Sequence, residues 1–191
     1  MLATAEGEAG PRLAHVRGVV ETVRRLAGAG GWPAAVRDGA VRAAWIHDAL
    51  RLESPERLRE RIIEAGEEPD PWALAHAPKL LHAQAAAGWA AARAESDPEV
   101  LAAVRHHPTA HPGWGPIGLL LYVADFSEPG RPFAARLDTR RIRSLAGSGE
   151  PGLAEAARRV LGLRMARDLT EGREIHPLTS AAWRRWFPRE P

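Results

Sequence analysis

The stretch RAAWIHDALR, residues 42–51, places a histidine and an aspartate side by side in an otherwise apolar helical run. The apolar residues on both sides of the pair, AAWI and AL, are typical of a helix packed into a core. Burying His47 and Asp48 there is unfavourable unless another charge pairs with them. The pair therefore either lies at the surface through helical phase or has a partner such as a metal ion.

The rest of the chain has the composition of one globular domain. It contains 191 residues, of which 45% are hydrophobic and 26% are charged, and this is enough to form one sizeable core. Because there is no cysteine, disulfides, thiolate nucleophiles and cysteine-ligated zinc or iron–sulfur sites are excluded. Any metal site must therefore use histidine, carboxylate and water.

The charge pattern does not indicate a nucleic-acid or membrane partner. The 26 basic residues are interspersed with 24 acidic ones, rather than clustered as a nucleic-acid surface requires. No apolar run approaches the roughly 18 residues of a transmembrane helix. The start of the chain, MLATAEGEAGPR, lacks the basic and apolar segments of a secretory signal. We expect a cytoplasmic protein.

Apolar residues recur at helical spacing along the whole chain, and no segment alternates as a strand does. The pattern predicts an all-α, single-domain helical bundle of seven or eight helices. Residues 1–10 are small, acidic and glycine-containing, so we expect a disordered tail before a domain at 11–191. The predicted helices cover 11–27, 33–50, 55–66, 78–94, 98–107, 116–126, 150–171 and 178–187, with a further short helical segment at 72–76 and a loop at 108–116.

The histidines and two aspartates are unusual for their apolar surroundings. His15 lies on the first predicted helix, the His47-Asp48 pair on the second, and Asp125 ends GLLLYVAD (118–125), the most hydrophobic run. A helical bundle can bring one position from each of several helices to a common point. Imidazole and carboxylate ligands suit iron, manganese, zinc, cobalt or nickel better than calcium. Histidines at 82 and at 106 or 107 extend the set, and because adjacent helical residues point about 100° apart, we expect only one of the last two to face the site.

The order His, His-Asp, His, His, Asp resembles that of the HD-domain metal-dependent phosphohydrolase superfamily. The flanking segments more closely resemble the YqeK-type symmetrical bis(5′-nucleosyl)-tetraphosphatases, and ADFSEPGRPF (124–133) is the most specific of them. The matching segments are RLAHVRGVVETVRRLA (12–27), AAWIHDALR (43–51), HAQAAAGW (82–89), VRHHPTA (104–110), LLLYVADFSEPGRPF (119–133) and IHPLTSAAW (175–183). The resemblance implies an HD domain over residues 11–191.

The resemblance also implies roles for individual residues. Four positions match metal ligands: His15, His47, Asp48 and Asp125. Two histidines match residues that face the nucleotide phosphates or a second metal ion: His82 and His107. Two arginines match residues that bind the nucleotide: Arg12 and Arg131. Catalysis is assigned to Asp48, His82 and His107, and the implied cofactor is one or two divalent ions, iron first, with manganese, cobalt, nickel or zinc as alternatives.

The reaction implied by the resemblance is symmetrical hydrolysis of diadenosine tetraphosphate into two ADP by a metal-activated water. The loop PTAH (108–111) departs from the family pattern Thr-Thr-Gly-Arg, so an HD-superfamily phosphohydrolase acting on another nucleotide or phosphate ester is the second hypothesis. His76, His111 and His176 are expected to be structural or solvent-exposed, and His111 is in addition a candidate substitute for the lost arginine.

Two further hypotheses belong to other functional classes. One is a nucleotide sensor without turnover. The other is a nucleic-acid-binding helical protein, suggested by WRRWF (183–187), although we prefer to interpret that segment as a C-terminal helix docking its tryptophans on the core. The sequence leaves the assembly state open, with a homodimer as one alternative.

Overall fold

The computed structural model describes residues 6–133 and 138–187, which form ten α-helices and contain no β-strand. A single 3-10 turn, Pro78–Leu80, precedes the fifth helix. The helices are α1 Glu6–Ala29, α2 Ala34–Ile46, α3 Pro55–Glu64, α4 Pro71–His76, α5 Leu81–Ala91, α6 Pro98–His106, α7 Pro116–Ser127, α8 Thr139–Ala146, α9 Glu150–Thr170 and α10 Pro177–Trp186. The all-α class is confirmed. None of these helices combines the length and apolarity needed to cross a membrane.

Helix α7 is the centre of the bundle, as its hydrophobicity predicts. Its residues 120–127 are all buried, and it packs against α1, α2, α6, α8 and α9. Gly39 of α2 permits one of these close approaches, because a Cβ there would lie 2.5 Å from Ile117 Cδ1. Asp125 therefore lies in the last turn of a helix enclosed by its neighbours, and it is buried rather than at a solvent end.

Three helices begin at the caps that the sequence provides. Ser54, Asp70 and Asp97 each accept backbone N–H hydrogen bonds from the first turn of α3, α4 and α6, and each is followed by proline. Such a side chain satisfies N–H groups that have no partner within the helix, and proline is preorganised for the first helical position. These caps fix where α4 and α6 begin and so help to position the segments that reach the site.

The second helix ends earlier than predicted, and the reason bears on the site. His47 N–H still bonds Ala43 O, but Ala49 N–H bonds Ile46 O and Arg51 N–H bonds Asp48 O, three residues back. The α-helix therefore ends at Ile46, and a tightened turn, rather than the expected helix to residue 50, holds the His-Asp pair. Both side chains of the pair are buried.

Other boundaries also differ from the prediction. Helix α1 begins at Glu6, five residues before the predicted start, and the disorder expected for residues 1–10 stays a prediction. Residues 1–5 lie outside the described residues. The predicted helix 78–94 is divided into the 3-10 turn and α5, and α8 was not predicted because its buried face consists only of Thr139, Ile142 and Ala146.

Helix α10 docks on the core through one of its two tryptophans. Trp186 packs beside Trp114 and Tyr122, with ring centroids 6.4 and 6.3 Å away. Trp183 remains 38% exposed and stacks on Phe187 at 4.2 Å. The predicted docking of the C-terminal helix is therefore confirmed for Trp186 and wrong for Trp183.

Candidate metal centre

Six polar side chains from five separate segments of the chain converge on one buried point. They are His15 from α1, His47 and Asp48 from the turn after α2, His82 from α5, His107 from the end of α6 and Asp125 from α7. His15 Nε2 lies 3.2 Å from Asp125 Oδ1, and His82 Nε2 lies 3.2 Å from Asp48 Oδ1. The structure thus brings together all six residues that the sequence places at the site.

Three of the histidines are oriented in the same way. Nδ1 of His47, His82 and His107 lies 2.8, 2.6 and 2.9 Å from the carbonyl oxygen three residues earlier. A carbonyl only accepts, so Nδ1 carries the proton and, in the neutral ring, Nε2 carries a lone pair. The three lone pairs therefore point into the centre of the cluster, which is the tautomer that a metal-ligating imidazole requires.

His15 is held by a carboxylate instead of a carbonyl. Its Nδ1 lies 3.1 Å from Glu128 Oε1, and Glu128 also accepts a hydrogen bond of 2.6 Å from Gly130 N–H. Glu128 is buried against Gly18, where an added Cβ would lie 2.6 Å from Oε2. A carboxylate behind a histidine fixes the ring and increases its basicity as a ligand.

Asp48 connects two groups of candidate ligand atoms. Its Oδ2 lies 3.8 Å from His15 Nε2 and 3.7 Å from His47 Nε2, whereas its Oδ1 lies 3.2 Å from His82 Nε2 and 3.7 Å from His107 Nε2. Each group, with Asp48 as the shared member, has the spacing of a metal site. The carboxylate therefore presents one oxygen to each pair of histidines.

Asp125 is surrounded by cations. Arg164 Nη2 lies 2.7 Å from Asp125 Oδ2, Arg131 donates through Nη2 to Oδ1, and Arg131 Nε bonds the Asp125 carbonyl at 2.8 Å. Arg164 also lies over the rings of Tyr122 and Phe126. These pairs compensate a buried carboxylate that would otherwise be strongly destabilising.

Both aspartates are ionised in this environment. Burial alone raises the pKa of the Asp48 carboxyl, but the contact with His82 and the neighbouring imidazoles outweigh burial and hold that pKa well below its usual range. At Asp125 burial is likewise outweighed, here by Arg131 and Arg164 among others, and its pKa also lies well below the ordinary value.

Three histidines of the cluster differ in the direction in which the site shifts their pKa values. Burial lowers the pKa of His47, and it lowers the pKa of His107 further, so both are neutral at neutral pH. For His15, burial lowers the pKa, but the contacts with Asp125 and Glu128 outweigh it and raise the pKa above the ordinary value. Ionised carboxylates and neutral imidazoles are the protonation states in which these groups bind metal.

Some nitrogen atoms of the cluster lack a hydrogen-bond partner, and their arrangement indicates whether a cation fits between them. Nε2 of His15 and Nε2 of His47 are buried without a hydrogen-bond partner in the described part of the chain. Nε2 of His82 and Nε2 of His107 face each other at 3.3 Å, although both rings donate through Nδ1. Lone pairs aimed at one another and at carboxylates need a positive charge between them. The cluster can therefore bind a divalent metal ion.

Two clefts reach the cluster. The first, about 720 Å³, is lined by Trp72 and by Asp48, His82, His107 and Asp125, and we call it the tryptophan cleft. The second, about 740 Å³, is lined by Lys79, Leu52, Pro55 and His15, and we call it the lysine cleft. Three arginines line both clefts: Arg12, Arg51 and Arg131. Ligand sites of ~300–1,000 Å³ are usual for small molecules.

The predicted nucleotide-binding arginines both lie at the cluster. Arg12 Nη1 lies 2.7 Å from Asp48 Oδ2, while its buried Nε has no hydrogen-bond partner within the described residues. Arg131 is paired with Asp125 in the turn that follows α7. Both therefore place guanidinium groups at the edge of the candidate metal site.

Only one of the two adjacent histidines faces the cluster, as predicted. His106 instead stacks on His111 with ring centroids 4.9 Å apart. His111 accepts a hydrogen bond from Gly113 N–H and is not among the residues that line either cleft. These contacts fit the expected structural role of His111, whose ring turns toward His106 and away from the two clefts.

The other two histidines line the tryptophan cleft in different ways. His176 is buried and caps α10 by accepting from Leu178 N–H, and its Nε2 lies 3.2 Å from Asp70 Oδ2, which confirms a structural role. His76 is exposed, as predicted, and stacks on Trp72 at 4.9 Å. Both line the tryptophan cleft, which the sequence did not predict.

The comparison with known proteins identifies the family. The chain is 32% identical over 132 residues to a Bacillus subtilis protein named symmetrical bis(5′-nucleosyl)-tetraphosphatase, and the match covers 69% of this chain and 68% of that protein. The chain belongs to the symmetrical bis(5′-nucleosyl)-tetraphosphatase family. A protein of the same name from Halalkalibacterium halodurans is 32% identical over 123 residues, or 64% of this chain and 63% of that protein.

The fold of this tetraphosphatase-family chain also has a solved relative. A crystal structure described as a predicted HD superfamily hydrolase involved in NAD metabolism, from Clostridium acetobutylicum, superposes with a TM-score of 0.78 at 25% identity. The superposition covers 94% of this chain and 89% of that one. No protein-family model matches the chain. The resemblance to the tetraphosphatases and the all-α HD fold are both confirmed.

Two residues that contact the cluster of this tetraphosphatase-family member are not predicted from the sequence. Glu128 lies in a helix-terminating turn, although it follows Asp125 at helical spacing within the most specific segment. Arg164 is one of many arginines, and nothing in α9 distinguishes it until packing places its guanidinium on Asp125. Of the two residues, only Glu128 could have been predicted from the sequence, through its helical spacing from Asp125.

Proposed function

We propose that this protein is a metal-dependent phosphohydrolase that splits diadenosine tetraphosphate symmetrically into two ADP. The observation that carries the proposal is the convergence of four imidazole Nε2 atoms and two ionised carboxylates beside clefts that share three arginines. Membership of a family whose curated members are named symmetrical bis(5′-nucleosyl)-tetraphosphatases supports the substrate.

The proposed reaction breaks the central phosphoanhydride bond. A water oxygen bonds to one of the two central phosphorus atoms, and the bond from that phosphorus to the bridging oxygen breaks. One ADP carries the oxygen from water, and the other carries the bridging oxygen. The protons of the water pass to the products or to solvent, so atoms and charges balance without a further reactant.

We propose that His15, His47, Asp48 and Asp125 hold the ion. Iron is the proposed metal, and manganese, cobalt, nickel and zinc are alternatives for the same nitrogen and oxygen donors. A divalent ion supplies positive charge to a phosphoryl oxygen and lowers the pKa of a water in contact with it. A second ion between Asp48 Oδ1 and the other two histidines is an alternative with suitable spacing.

Arg12 and Arg131 are the proposed phosphate-binding residues. Each guanidinium has five N–H donors in a planar fork that suits phosphate. Arg12 uses one donor on Asp48, and its buried Nε is unpartnered among the described residues. Arg131 uses Nε and Nη2 on Asp125, which leaves its other terminal nitrogen for a phosphate oxygen.

The two histidines on the tryptophan cleft have different proposed tasks. His82 Nε2 lies 3.2 Å from Asp48 and lines the cleft, and we propose that it contacts the reacting phosphates and, when both ring nitrogens are protonated, delivers the Nε2 proton to the leaving oxygen. Burial keeps His107 neutral by lowering its pKa, which suits a lone-pair ligand or acceptor better than a proton donor.

Product analysis tests the proposal. Metal-loaded protein is incubated with diadenosine tetraphosphate, and the nucleotides are resolved by chromatography. We expect ADP alone, whereas ATP together with AMP would contradict symmetrical cleavage. Asp48→Ala is expected to lose bound metal and activity together, while Asp38→Ala, which changes an exposed acid on α2, is expected to retain both.

A second candidate substrate class follows from the loop after α6. Pro108 and Thr109 line the tryptophan cleft, and this loop lacks the glycine and arginine of the family pattern. An HD phosphohydrolase acting on another nucleotide or phosphate ester is therefore the second candidate. A panel of dinucleoside polyphosphates, nucleoside triphosphates and monophosphates separates the two by the ratio of kcat/KM values.

A further inference from the structure

A dinucleotide that is cut at its centre extends equally far in both directions from the reacting phosphates. An enzyme that performs this cut must provide room for a nucleoside diphosphate on each side of its metal site. The tryptophan cleft and the lysine cleft meet this requirement in volume, at about 720 and 740 Å³. Both also reach the cluster, because Asp48 lines the first cleft and His15 lines the second.

The boundary between the clefts has the charge that a polyphosphate needs. Arg12, Arg51 and Arg131 line both clefts, and two of them are anchored on Asp48 and Asp125. A tetraphosphate lying across this boundary would contact these arginines. Bidentate arginine–phosphate pairing then fixes which bond lies over the cluster.

Each cleft also offers an apolar surface together with cations. In the tryptophan cleft, Trp72 stacks on His76, and an indole ring presents the flat surface on which a nucleobase can stack. In the lysine cleft the apolar surface is Leu52 and Pro55, and the cation is Lys79, the only lysine of the chain.

The acidic residue Glu53 of the lysine cleft does not oppose phosphate binding. Both of its oxygens are paired with Arg61, at 2.5 and 2.7 Å, so its charge is already compensated. Glu128, which also lines the cleft, is engaged by His15 and Gly130 N–H. The free charges facing this cleft are therefore predominantly positive.

We propose that the two clefts hold the two halves of one dinucleoside tetraphosphate, with the lysine cleft as the binding site of the second nucleoside diphosphate. This inference rests on the proposed function. It assigns one nucleobase to stacking on Trp72 and the other nucleoside to the looser apolar wall of Leu52 and Pro55. The products are then two ADP molecules held in separate sites.

The test is the number of ADP molecules that metal-loaded protein binds, measured by equilibrium dialysis with labelled ADP. Two per chain are expected for the unchanged protein and one for Leu52→Glu, which places a negative charge in the lysine cleft at a half-exposed side chain. Ile63→Glu is the matched control, because Ile63 is 52% exposed and lines neither cleft, so two are expected. Lys79→Ala, which keeps the carbonyl that orients His82, is expected to weaken the same site.

Steady-state kinetics supply the second readout. Leu52→Glu is expected to raise KM for diadenosine tetraphosphate by about tenfold, with kcat changed by less than about threefold, because the lost contact serves substrate binding. One ADP per chain in the unchanged protein, or two in both Leu52→Glu and Lys79→Ala, would overturn the second site while hydrolysis itself remained. Absence of hydrolysis by the unchanged protein would instead refute the proposed function.

Discussion

Gly18 of α1 lies directly against the carboxylate of Glu128, so that a Cβ at position 18 would be 2.6 Å from Oε2. Glu128 in turn lies 3.1 Å from His15 Nδ1. The absence of a side chain at position 18 therefore allows the contact that aims His15 Nε2 at the cluster. Two substitutions test this chain of contacts.

Gly18→Ala is expected to weaken metal binding by about tenfold, because outer residues that orient a ligand typically contribute 10–100-fold to affinity. Metal titration by calorimetry measures the change. Gly28→Ala is the control, since it lies on the same helix with nothing within 4 Å of the added methyl, and it should leave affinity unchanged. Equal affinities for the two variants would show that Glu128 does not depend on Gly18.

Glu128→Ala is expected to lower metal affinity more than Glu128→Gln. The glutamine can still accept a hydrogen bond from His15 Nδ1–H, whereas alanine leaves the ring unheld. The expected loss for alanine is about 10–100-fold. Metal content after dialysis against a weak chelator ranks the variants, and the reverse order would contradict a hydrogen-bonding role for Glu128.

Arg164→Met is expected to destabilise the metal-free protein by about 3–5 kcal/mol, because it leaves the buried Asp125 carboxylate with less compensation. Urea unfolding measures the loss. Arg159→Met on the same helix removes only an exposed pair with Glu155 and should cost less than about 1 kcal/mol.

Added Mn²⁺ makes the Arg164→Met experiment a test of the site itself. If Asp125 binds the ion, the metal supplies the missing positive charge, and the stability difference between Arg164→Met and the unchanged protein should shrink. A difference that stays the same at saturating Mn²⁺ would contradict Asp125 as a metal ligand.

Trp72→Ala is expected to raise KM for diadenosine tetraphosphate by about tenfold with little change in kcat, as loss of a stacking surface typically weakens binding by ~1–3 kcal/mol per base. Trp183→Ala removes a tryptophan that is 38% exposed and lines neither cleft, and it should leave KM unchanged. Similar KM values for Trp72→Ala and Trp183→Ala would show that Trp72 does not contact the substrate.

The inner residues of the site are predictable because each breaks an apolar pattern. The His47-Asp48 pair and Asp125 interrupt runs that would otherwise be core, so the amino-acid pattern alone calls for a partner charge. Glu128 follows Asp125 in a turn where an acid is ordinary, and only the packing of α1 against the end of α7 buries it. Its spacing from Asp125 is the one local signal, and the contact with His15 that gives it a role is tertiary.

The fold, like the site, is predictable from the sequence only in part. Cap-and-proline signals locate the starts of α3 and α6, and hydrophobicity identifies α7. Helix α8 is not predicted because TRRIRSLA spans only eight residues, so its helical period, carried by Ile142, Leu145 and Ala146, extends over little more than one turn. The end of α2 is predicted too late because the change to three-residue hydrogen bonds after His47 leaves no mark in the apolar pattern.

The most direct test of the metal centre is a crystal structure of the protein loaded with Mn²⁺, with anomalous scattering used to locate the ion. We expect an anomalous peak within roughly 2.0–2.3 Å of His15 Nε2, His47 Nε2 and one oxygen each of Asp48 and Asp125. No peak inside the cluster, or an ion bound elsewhere with Asp125 turned away from His47, would contradict the proposed centre.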